Sequence, residues 1–516
     1  MRSAVRALVA PLVAAAPLAA QGASPYVPLA HWTMPYVEHL IATGAIADPT
    51  PLTRPLRRAD VAAALRAADT LALGPAARGT VRRLLAALDR DGGAPAGARY
   101  RVTGDLGLAA ASYAKRDPLA ALDDTGPRAA GPEHATAAGG LDLEAAFGSV
   151  VAVSHPVFDT RLKYDPDWFG KKDRVIAGRT AEAYVAAQWR VAELFFGRLD
   201  RNWGPSAVQG LFLSDQPYGL DHLAVALGTP RFQVQAVATQ LDDRRDSTGA
   251  VVHRYLMAHR VWARPGPRWT LALWEGSVLA GPARAFEPWY LNIVNLGLLE
   301  QLNGGGNVNS FVGLDVERRA ATTLFAQFLL DDIQVDRRAP ADQKPMSYAF
   351  TLGARGRLPG AGPGGRAAWT AFYTQVANLT YRNENDLEVP LYHFLGTGRN
   401  FADYDQVTLR AGVLVAPGLL LAPELTLLRQ GEGDPRLPHP PVSAYPATAT
   451  ILQGVVERTW RLAVAATYAP GPAFGVAFDA GLHRIANFQH VPGAARTRAA
   501  GRVAVSYRFQ WQGTLP

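Results

Sequence analysis

Residues 502–511 read Arg-Val-Ala-Val-Ser-Tyr-Arg-Phe-Gln-Trp and alternate between polar or small residues and apolar ones. An alternation with a period of two is typical of a β-strand, in which successive side chains point to opposite faces. The apolar face is continuous and ends in aromatic rings, and it comprises Val503, Val505, Tyr507, Phe509 and Trp511. This stretch therefore predicts a strand with one wholly apolar face.

The same pattern recurs along the chain from Tyr100 onward, for example in residues 406–415, 459–468 and 474–483. Alternation alone does not distinguish a sandwich, whose apolar face is internal, from a membrane barrel, whose apolar face meets lipid. Segment length favours the barrel, because many segments run roughly 9–13 residues, as a tilted membrane crossing requires. Aromatic residues near the ends of the apolar faces are typical of membrane-interface girdles. They include Trp460, Tyr468, Trp369, Tyr373 and Tyr381.

The connections between these segments alternate between short turns and long loops. Short Pro- and Gly-rich turns occur at 228–230, 416–418 and 469–472, and long loops occur near 381–405, 430–449 and 485–500. Outer-membrane barrels combine short periplasmic turns with long outer loops. We therefore predict an all-β membrane protein, a transmembrane antiparallel barrel of about 18 strands over residues 100–511, in contact with outer-membrane lipid.

The N-terminus has the composition of a secretory signal peptide. Arg2 and Arg6 precede an apolar stretch at 7–16, and small residues continue to Ala20. We predict a signal peptide over residues 1–20, with cleavage after Ala20. Because the chain contains no Cys, a lipoprotein anchor, disulfides and thiolate chemistry are all excluded. An exported chain without disulfides favours the envelope of a Gram-negative cell, and specifically its outer membrane.

Composition and motifs also limit the chemistry of the chain. Its net charge is +8, from 52 basic and 44 acidic residues, and no basic cluster is interleaved with aromatics, so no nucleic-acid partner is predicted. No Ser lies at a recognisable catalytic spacing from His259 or His483, so we predict no enzyme. The adjacent acids Asp331 and Asp332 are more often solvated than cation ligands. No metal and no cofactor are predicted.

Residues 24–92 are Ala-rich and have helical spacing, as in Val61, Leu65 and Ala68. Their pattern of His31-Trp32, a segment ending Gly44-Ala45-Ile46, and Arg57-Arg58-Ala59-Asp60 resembles one S-layer homology repeat. The resemblance implies a periplasmic helical segment that binds peptidoglycan or its attached polymers. The candidate cell-wall residues are Trp32, Arg57 and Arg58. The alternative is that Trp32 anchors a core and the two arginines are solvated.

A second resemblance lies within the barrel. Residues 197–205, Gly-Arg-Leu-Asp-Arg-Asn-Trp-Gly-Pro, and 211–217, Leu-Phe-Leu-Ser-Asp-Gln-Pro, resemble the Wzi capsule-assembly family. Residues 311–315 and 325–332 are similar as well. The resemblance implies an eighteen-stranded outer-membrane barrel with a small periplasmic helical part, which acts as a surface lectin and attaches or organises capsular or exopolysaccharide.

The first of these motifs contains the candidate polysaccharide site. Sugars are held by aromatic faces and by side chains that hydrogen-bond to hydroxyls. The candidate residues are Arg198, Asp200, Arg201, Asn202, Trp203 and Asp215. On this hypothesis, Trp203→Ala weakens polymer retention more than Trp511→Ala. The alternative is a rigid Trp-Gly-Pro turn in which Asp200 pairs with a neighbouring arginine.

Two functions therefore remain open. The first is a non-catalytic surface lectin, and the second is a diffusion porin that the N-terminal segment tethers to peptidoglycan. A lumen filled by folded-in loops favours the lectin, whereas an open lumen favours the porin. Residues 287–302 have helical spacing and are expected to form a loop helix that plugs or caps the lumen.

Overall fold

The structure, a computed structural model, describes residues 22–88, 98–112, 131–215, 218–299, 307–333, 338–360 and 364–514. The predicted signal peptide, with its cleavage position, lies outside the described residues, as does the predicted end of the helical segment at residue 92. No helix in the described ranges is long and apolar enough to cross a membrane.

Eighteen antiparallel strands form a closed barrel, as predicted. They are β1 (Arg99–Ala111), β2 (Ala135–Phe147), β3 (Val150–Asp159), β4 (Ala177–Gln188), β5 (Ala192–Arg198), β6 (Asp221–Thr229), β7 (Phe232–Gln240), β8 (Val251–Gly266), β9 (Trp269–Gly281), β10 (Val308–Arg318), β11 (Thr322–Asp332), β12 (Ser347–Arg357), β13 (Ala367–Val376), β14 (Tyr404–Ala416), β15 (Leu419–Gln430), β16 (Glu457–Tyr468), β17 (Phe474–Ala486) and β18 (Ala495–Thr514).

Strand pairing follows chain order, and the last strand closes on the first. In this closing pair Thr514 lies opposite Arg99, and Arg502 lies opposite Ala111. Backbone polar groups within a bilayer have no water partners, and closure pairs them without leaving an open sheet edge.

The alternating sequence pattern corresponds to an outward apolar face and an inward polar face. The outward apolar residues of β16 and β18 are exposed at the barrel wall, and they include Trp460, Leu462, Val503, Val505 and Trp511. One predicted girdle aromatic is wrong. Tyr381 lies beyond the end of β13 in a loop that turns into the lumen, where it is buried and donates a hydrogen bond to the carbonyl of Leu211.

The two ends of the barrel differ in the length of their connections. One end carries short turns, at 148–149, 189–191, 230–231, 267–268 and 417–418, and the other carries long loops, including 160–176, 377–403 and 431–456. Because bacterial barrels place short turns in the periplasm, the long-loop end is the outer one.

Three helices close the periplasmic end, which are α1 (Met34–Ala42), α2 (Arg58–Arg66) and α3 (Pro75–Leu88). Proline stands in the first turn of α1 and at the first position of α3, where its missing N–H costs no helical hydrogen bond. The apolar stripes of the helices pack together with Leu414, Leu420 and Ala469 of the barrel. Tyr36 also donates a hydrogen bond of 2.9 Å to the carbonyl of Gly418 in a periplasmic turn.

The predicted continuous loop helix over 287–302 is wrong in its described part, where helical backbone is confined to residues 288–291 and 297–299. Residues 288–291 form a single 3-10 turn (Pro288–Leu291), and the segment lies on the outside of the barrel rather than in the lumen. Its last three residues, 300–302, lie outside the described ranges.

Candidate functional site

Two chain segments meet inside the barrel and fill much of its lumen. Residues 48–54 enter from the periplasmic end, and residues 199–214 fold inward from the outer end. Their backbones pair antiparallel, with Thr53 opposite Trp203 and Arg54 opposite Asn202. We call residues 48–54 and 199–214 the plug.

The barrel wall holds the plug through buried polar contacts. Arg260 donates hydrogen bonds to the carbonyl of Leu52 at 2.8 Å and to the hydroxyl of Thr53 at 2.9 Å. The same guanidinium bonds to Asp315 at 2.9 Å. Trp262 donates to the carbonyl of Pro51 at 3.0 Å. Wall residues of β8 thereby fix the position of the periplasmic half of the plug.

Arg54 is the buried charge at the centre of the plug. It bonds to Glu38 at 2.6 Å and to Asp48 at 2.9 Å. Burial opposes the ionisation of Asp48, but the neighbouring Arg54 guanidinium holds the pKa of that carboxyl below its usual value. Removing one partner of a buried ion pair strongly destabilises the folded protein, because the other charge then stays buried without compensation.

Trp203 and Asn202 are components of the plug, so the expectation that Trp203 forms a sugar platform is corrected. Trp203 is only 4% exposed, with the Arg260 guanidinium 5.2 Å from its ring centre. Its carbonyl accepts a hydrogen bond of 2.9 Å from Gln327. Asn202 donates to the carbonyl of Val208 at 3.0 Å. The alternative interpretation, a rigid turn in an inward-folded loop, describes these two residues.

Arg201 is also internal. Its guanidinium donates a hydrogen bond of 2.8 Å to His222 and lies 4.6 Å from the ring centre of Phe195. The residues of the sequence motif therefore have different positions: Arg201, Asn202 and Trp203 lie within the plug, Asp200 lies at its edge facing a cavity, and Arg198 and Asp215 lie outside the plug.

The three candidate cell-wall residues contact the barrel itself. Arg57 donates to Glu193 on the inward face of β5. Arg58 donates to Glu144 on β2 at 2.7 Å. Trp32 packs beneath Arg508 of β18, with 4.7 Å between the guanidinium carbon and the ring centre. The expectation that these residues are presented to peptidoglycan is corrected, since they fasten the helical segment to the inner wall of the barrel.

A cavity of about 720 Å³ lies between the inner wall and two segments inside the barrel, which are residues 28–32 and the loop that contains Asp200 and Asp215. Its lining includes Arg179, Glu182, Asp200, Asp215 and Tyr218. We call this space the inner cavity. Glu182 is 7% exposed and faces it. Burial raises the pKa of Asp200, in the loop after β5, to about 7, against the opposing effect of Arg179. Two of the predicted site residues, Asp200 and Asp215, are therefore brought together here.

The outer mouth carries a group of aromatic rings, which we call the ridge and which comprises the exposed Phe169 and Phe394 and the half-buried Tyr392 and His393. Phe169 stacks on His393, with ring centres 4.0 Å apart, and contacts Tyr392 edge-on at 5.9 Å. Phe169 is 45% exposed and Phe394 is 62% exposed. The ridge therefore presents two exposed aromatic rings to the exterior, supported by two half-buried ones.

The ridge rests on the plug and adjoins the inner cavity. Its loop contacts the plug, since Ser214 donates its backbone N–H to the carbonyl of Thr397 at 2.8 Å. Tyr218 lies between the two features, 6.0 Å from Phe169 and on the lining of the inner cavity. Nearby, the sixth predicted residue, Arg198, bonds to Asp221 at 2.5 Å.

Sequence reasoning missed the ridge, although a signal was present. Tyr392-His393-Phe394 is a run of three consecutive aromatic rings, and Trp168-Phe169 is a pair in another long loop. These rings come together because two loops that are distant in sequence fold over the mouth. No local sequence pattern predicts how such loops fold.

The adjacent acids Asp331 and Asp332 both have protein partners. Asp331 accepts the backbone N–H of Tyr381 at 2.8 Å, and Asp332 pairs with Lys344 at 2.8 Å. Among the described residues, no three His, Asp or Glu side chains are arranged to hold a metal ion.

Comparison with known proteins supports the assignment of the fold. No protein-family profile matches the chain, and no curated protein matches it either. Among solved structures, Wzi of Escherichia coli, described as an outer membrane protein involved in group 1 capsule assembly and a carbohydrate-binding β-barrel, superposes with a TM-score of 0.60. The match covers 92% of this chain and 98% of Wzi at 14% identity. The chain is an outer-membrane β-barrel. Pseudomonas aeruginosa OprD matches with a TM-score of 0.44 at 10% identity, over 81% of this chain and 96% of OprD.

The location in the Gram-negative outer membrane gives the site its orientation. The outer-membrane barrel turns its ridge toward the cell exterior and its three helices toward the periplasm. At 14% identity the similarity to Wzi concerns the shared fold.

Proposed function

We propose that this outer-membrane barrel is a lectin-like surface protein that binds capsular or exopolysaccharide and organises or attaches it at the cell surface, with no catalytic step. The observation that carries the proposal is the exposed ridge of aromatic rings above a lumen that the plug occupies. The plug leaves the outer mouth as a binding surface rather than the opening of a wide pore.

The chemistry of the mouth suits a neutral or weakly charged polymer surface. Aromatic faces pack against the C–H surfaces of sugar rings, and charged side chains hydrogen-bond to hydroxyls. Phe169 and Phe394 supply exposed faces, while Arg198 and Asp221 supply polar groups next to them. The inner cavity extends this surface inward with Arg179 and Glu182. The description of Wzi as a carbohydrate-binding barrel, on a shared fold, is consistent with this proposal.

The competing function, a diffusion porin tethered to peptidoglycan, is less well supported. A porin needs a continuous aqueous lumen, whereas here residues from both ends of the barrel pair with each other at Thr53 and Trp203. A tether needs free cell-wall ligands, whereas Arg57 and Arg58 bond to Glu193 and Glu144.

The proposal is tested by retention of the detergent-purified protein on the capsular or exopolysaccharide of its host. A stacked ring contributes about 0.5–1.5 kcal/mol, so Phe169→Ala and Phe394→Ala are each expected to weaken retention roughly 2- to 10-fold. Trp511→Ala removes an aromatic side chain from the lipid-facing wall and is the control, with retention unchanged. Equal losses in all three variants, or no retention by the unmodified protein, would contradict the proposal.

A further inference from the structure

One segment of the chain lies on the outside of the barrel wall. Residues 282–299 leave the outer end of β9 and fold down over the outward face of β8 and β9, and we call them the flap. The face is identified by its neighbours: Arg260 and Trp262 of β8 bond to the plug, so His259 and Val261 point outward. The flap therefore covers a part of the wall that lipid would otherwise contact.

Hydrogen bonds to two outward polar residues hold the flap in place. Glu275 accepts the backbone N–H groups of Gly297 at 2.7 Å and Leu298 at 3.2 Å. His259 contacts Glu275 at 2.9 Å through one ring nitrogen and the carbonyl of Tyr290 at 2.9 Å through the other. Within the hydrocarbon region, irregular backbone is tolerated only where it is buried in protein or lines a cavity. Glu275 and His259 pair three backbone groups on the side of the flap that faces the wall, which are the N–H groups of Gly297 and Leu298 and the carbonyl of Tyr290.

The inner face of the flap is packed like a protein core. Tyr290 is fully buried against Tyr255, Met257 and Leu279 of the wall. Gly297 lies so close that an added Cβ would overlap the methyl group of Met257. A methyl group at Gly297 would displace the flexible end of Met257, whereas a bulky side chain there would lift this part of the flap from the wall.

The outer face of the flap is apolar, and in the part of the chain that the structure describes it stays exposed. Val294 is 83% exposed, and Phe286, Leu296 and Leu299 are exposed as well. The charged residues of the flap, Arg284 and Glu287, pair with each other at 3.2 Å. This surface continues the exposed apolar belt of the wall below it, which includes Val261 and Leu273.

We propose that the flap is immersed in the outer leaflet of the membrane, where Val294 and Leu296 contact lipid acyl chains. Apolar surface gains about 25 cal/mol per Å² when it leaves water, so an apolar face continuous with the lipid-facing belt favours this position. The flap thus extends the lipid contact of the barrel beyond its strands, using a segment that is neither strand nor long helix.

The absence of Cys from the chain allows a clean measurement. A nitroxide label is attached to Val294→Cys in the otherwise full chain, reconstituted into phosphatidylcholine vesicles, and its accessibility to oxygen and to a water-soluble nickel chelate is compared. Leu462→Cys on the lipid-facing wall and Phe394→Cys on the ridge, 63% and 62% exposed, provide the two limits.

The proposal expects an oxygen-to-nickel ratio for Val294→Cys that matches the Leu462→Cys label and exceeds the Phe394→Cys label several-fold. A ratio matching the Phe394→Cys label overturns the proposal. Spin–spin broadening that disappears on dilution with unlabelled protein assigns the surface to a second copy of the chain and also overturns it.

A second variant tests whether the flap owes its position to the wall contacts. Gly297→Phe, in the Val294→Cys background, is expected to shift the label toward the nickel-accessible limit, because movement of the Met257 methyl group cannot make room for a ring. Gly471→Phe, in a periplasmic turn where an added Cβ meets no atom within 4 Å, is the matched control and leaves the ratio unchanged. No shift with Gly297→Phe would overturn the seating of the flap described above.

Discussion

At the scale of single residues, the internal polar groups fall into two kinds. Arg54 and Arg260 have carboxylate partners at hydrogen-bonding distance. Asp200 faces the inner cavity, and burial raises its pKa to about 7. Paired charges stabilise the plug, whereas a buried carboxyl with a raised pKa is a source of pH dependence.

Asp200→Asn is expected to increase thermal stability more at pH 8 than at pH 5. The pKa of Asp200 is about 7 in the folded protein, against about 3.9 in an unfolded chain. Between these two values the unfolded state ionises first, so the stability of the native protein falls as pH rises toward 7, and the full loss persists above it. Melting temperatures of the detergent-solubilised protein at both pH values measure this difference.

The control for this prediction is Asp173→Asn, because Asp173 is exposed on an outer loop. Its effect on the melting temperature is expected to be the same at both pH values. A pH-independent effect of Asp200→Asn would show that this carboxyl is not the titrating group.

At the scale of elements, the helical segment shows which features a local sequence pattern can predict and which it cannot. Its helical spacing correctly indicated helices, because an apolar stripe is a property of neighbouring residues. The sequence did not predict the ion-pair partners of Arg57 and Arg58. These partners, Glu193 and Glu144, lie far along the chain on strands of the barrel, and closure of the barrel decides that they point inward.

The full-length protein is expected not to sediment with purified peptidoglycan. Trp32, Arg57 and Arg58 are engaged by the barrel wall, so they are unavailable to a cell-wall ligand. Co-sedimentation at increasing peptidoglycan concentration measures this. Sedimentation that is lost in Arg57→Ala or Arg58→Ala would restore the cell-wall interpretation.

The plug is a second case in which a local sequence pattern does not decide the position of its residues. The Trp-Gly-Pro motif was recognisable in the sequence, and a rigid inward turn was one of its two interpretations. The choice between them depends on Gln327 of β11 and Arg260 of β8, which receive Trp203 inside the lumen.

At the scale of the whole molecule, the barrel is closed by strand pairing around its circumference and obstructed from both ends. The helices cover the periplasmic end, the ridge loop covers the outer end, and the plug joins them. Eighteen strands are otherwise wide enough for an aqueous channel. We therefore expect the permeability of this barrel to depend on its plug rather than on its strand number.

Arg54→Ala is expected to raise ion conductance in planar bilayers above that of the unmodified protein, which we expect to be low. Removing this cation leaves the buried Asp48 carboxyl with the more distant Arg355, at 3.8 Å, as an ion-pair partner, which costs up to about 3–5 kcal/mol and loosens the periplasmic half of the plug. Arg82→Ala, on the exposed face of α3, is the control. Steady porin-like currents from the unmodified protein would contradict an occluding plug and favour the porin.

The sequence by itself determined the class of fold, because lipid on one side and water on the other impose a period of two on every strand, and this period is local and repeats. It also determined which end carries the long loops. Only the tertiary structure decided that Trp203 lies in the plug, that Phe169 and His393 form the ridge, and that residues 282–299 cover the outer wall. Each of these outcomes depends on contacts between residues far apart in the chain, whose energies appear only once the barrel has closed.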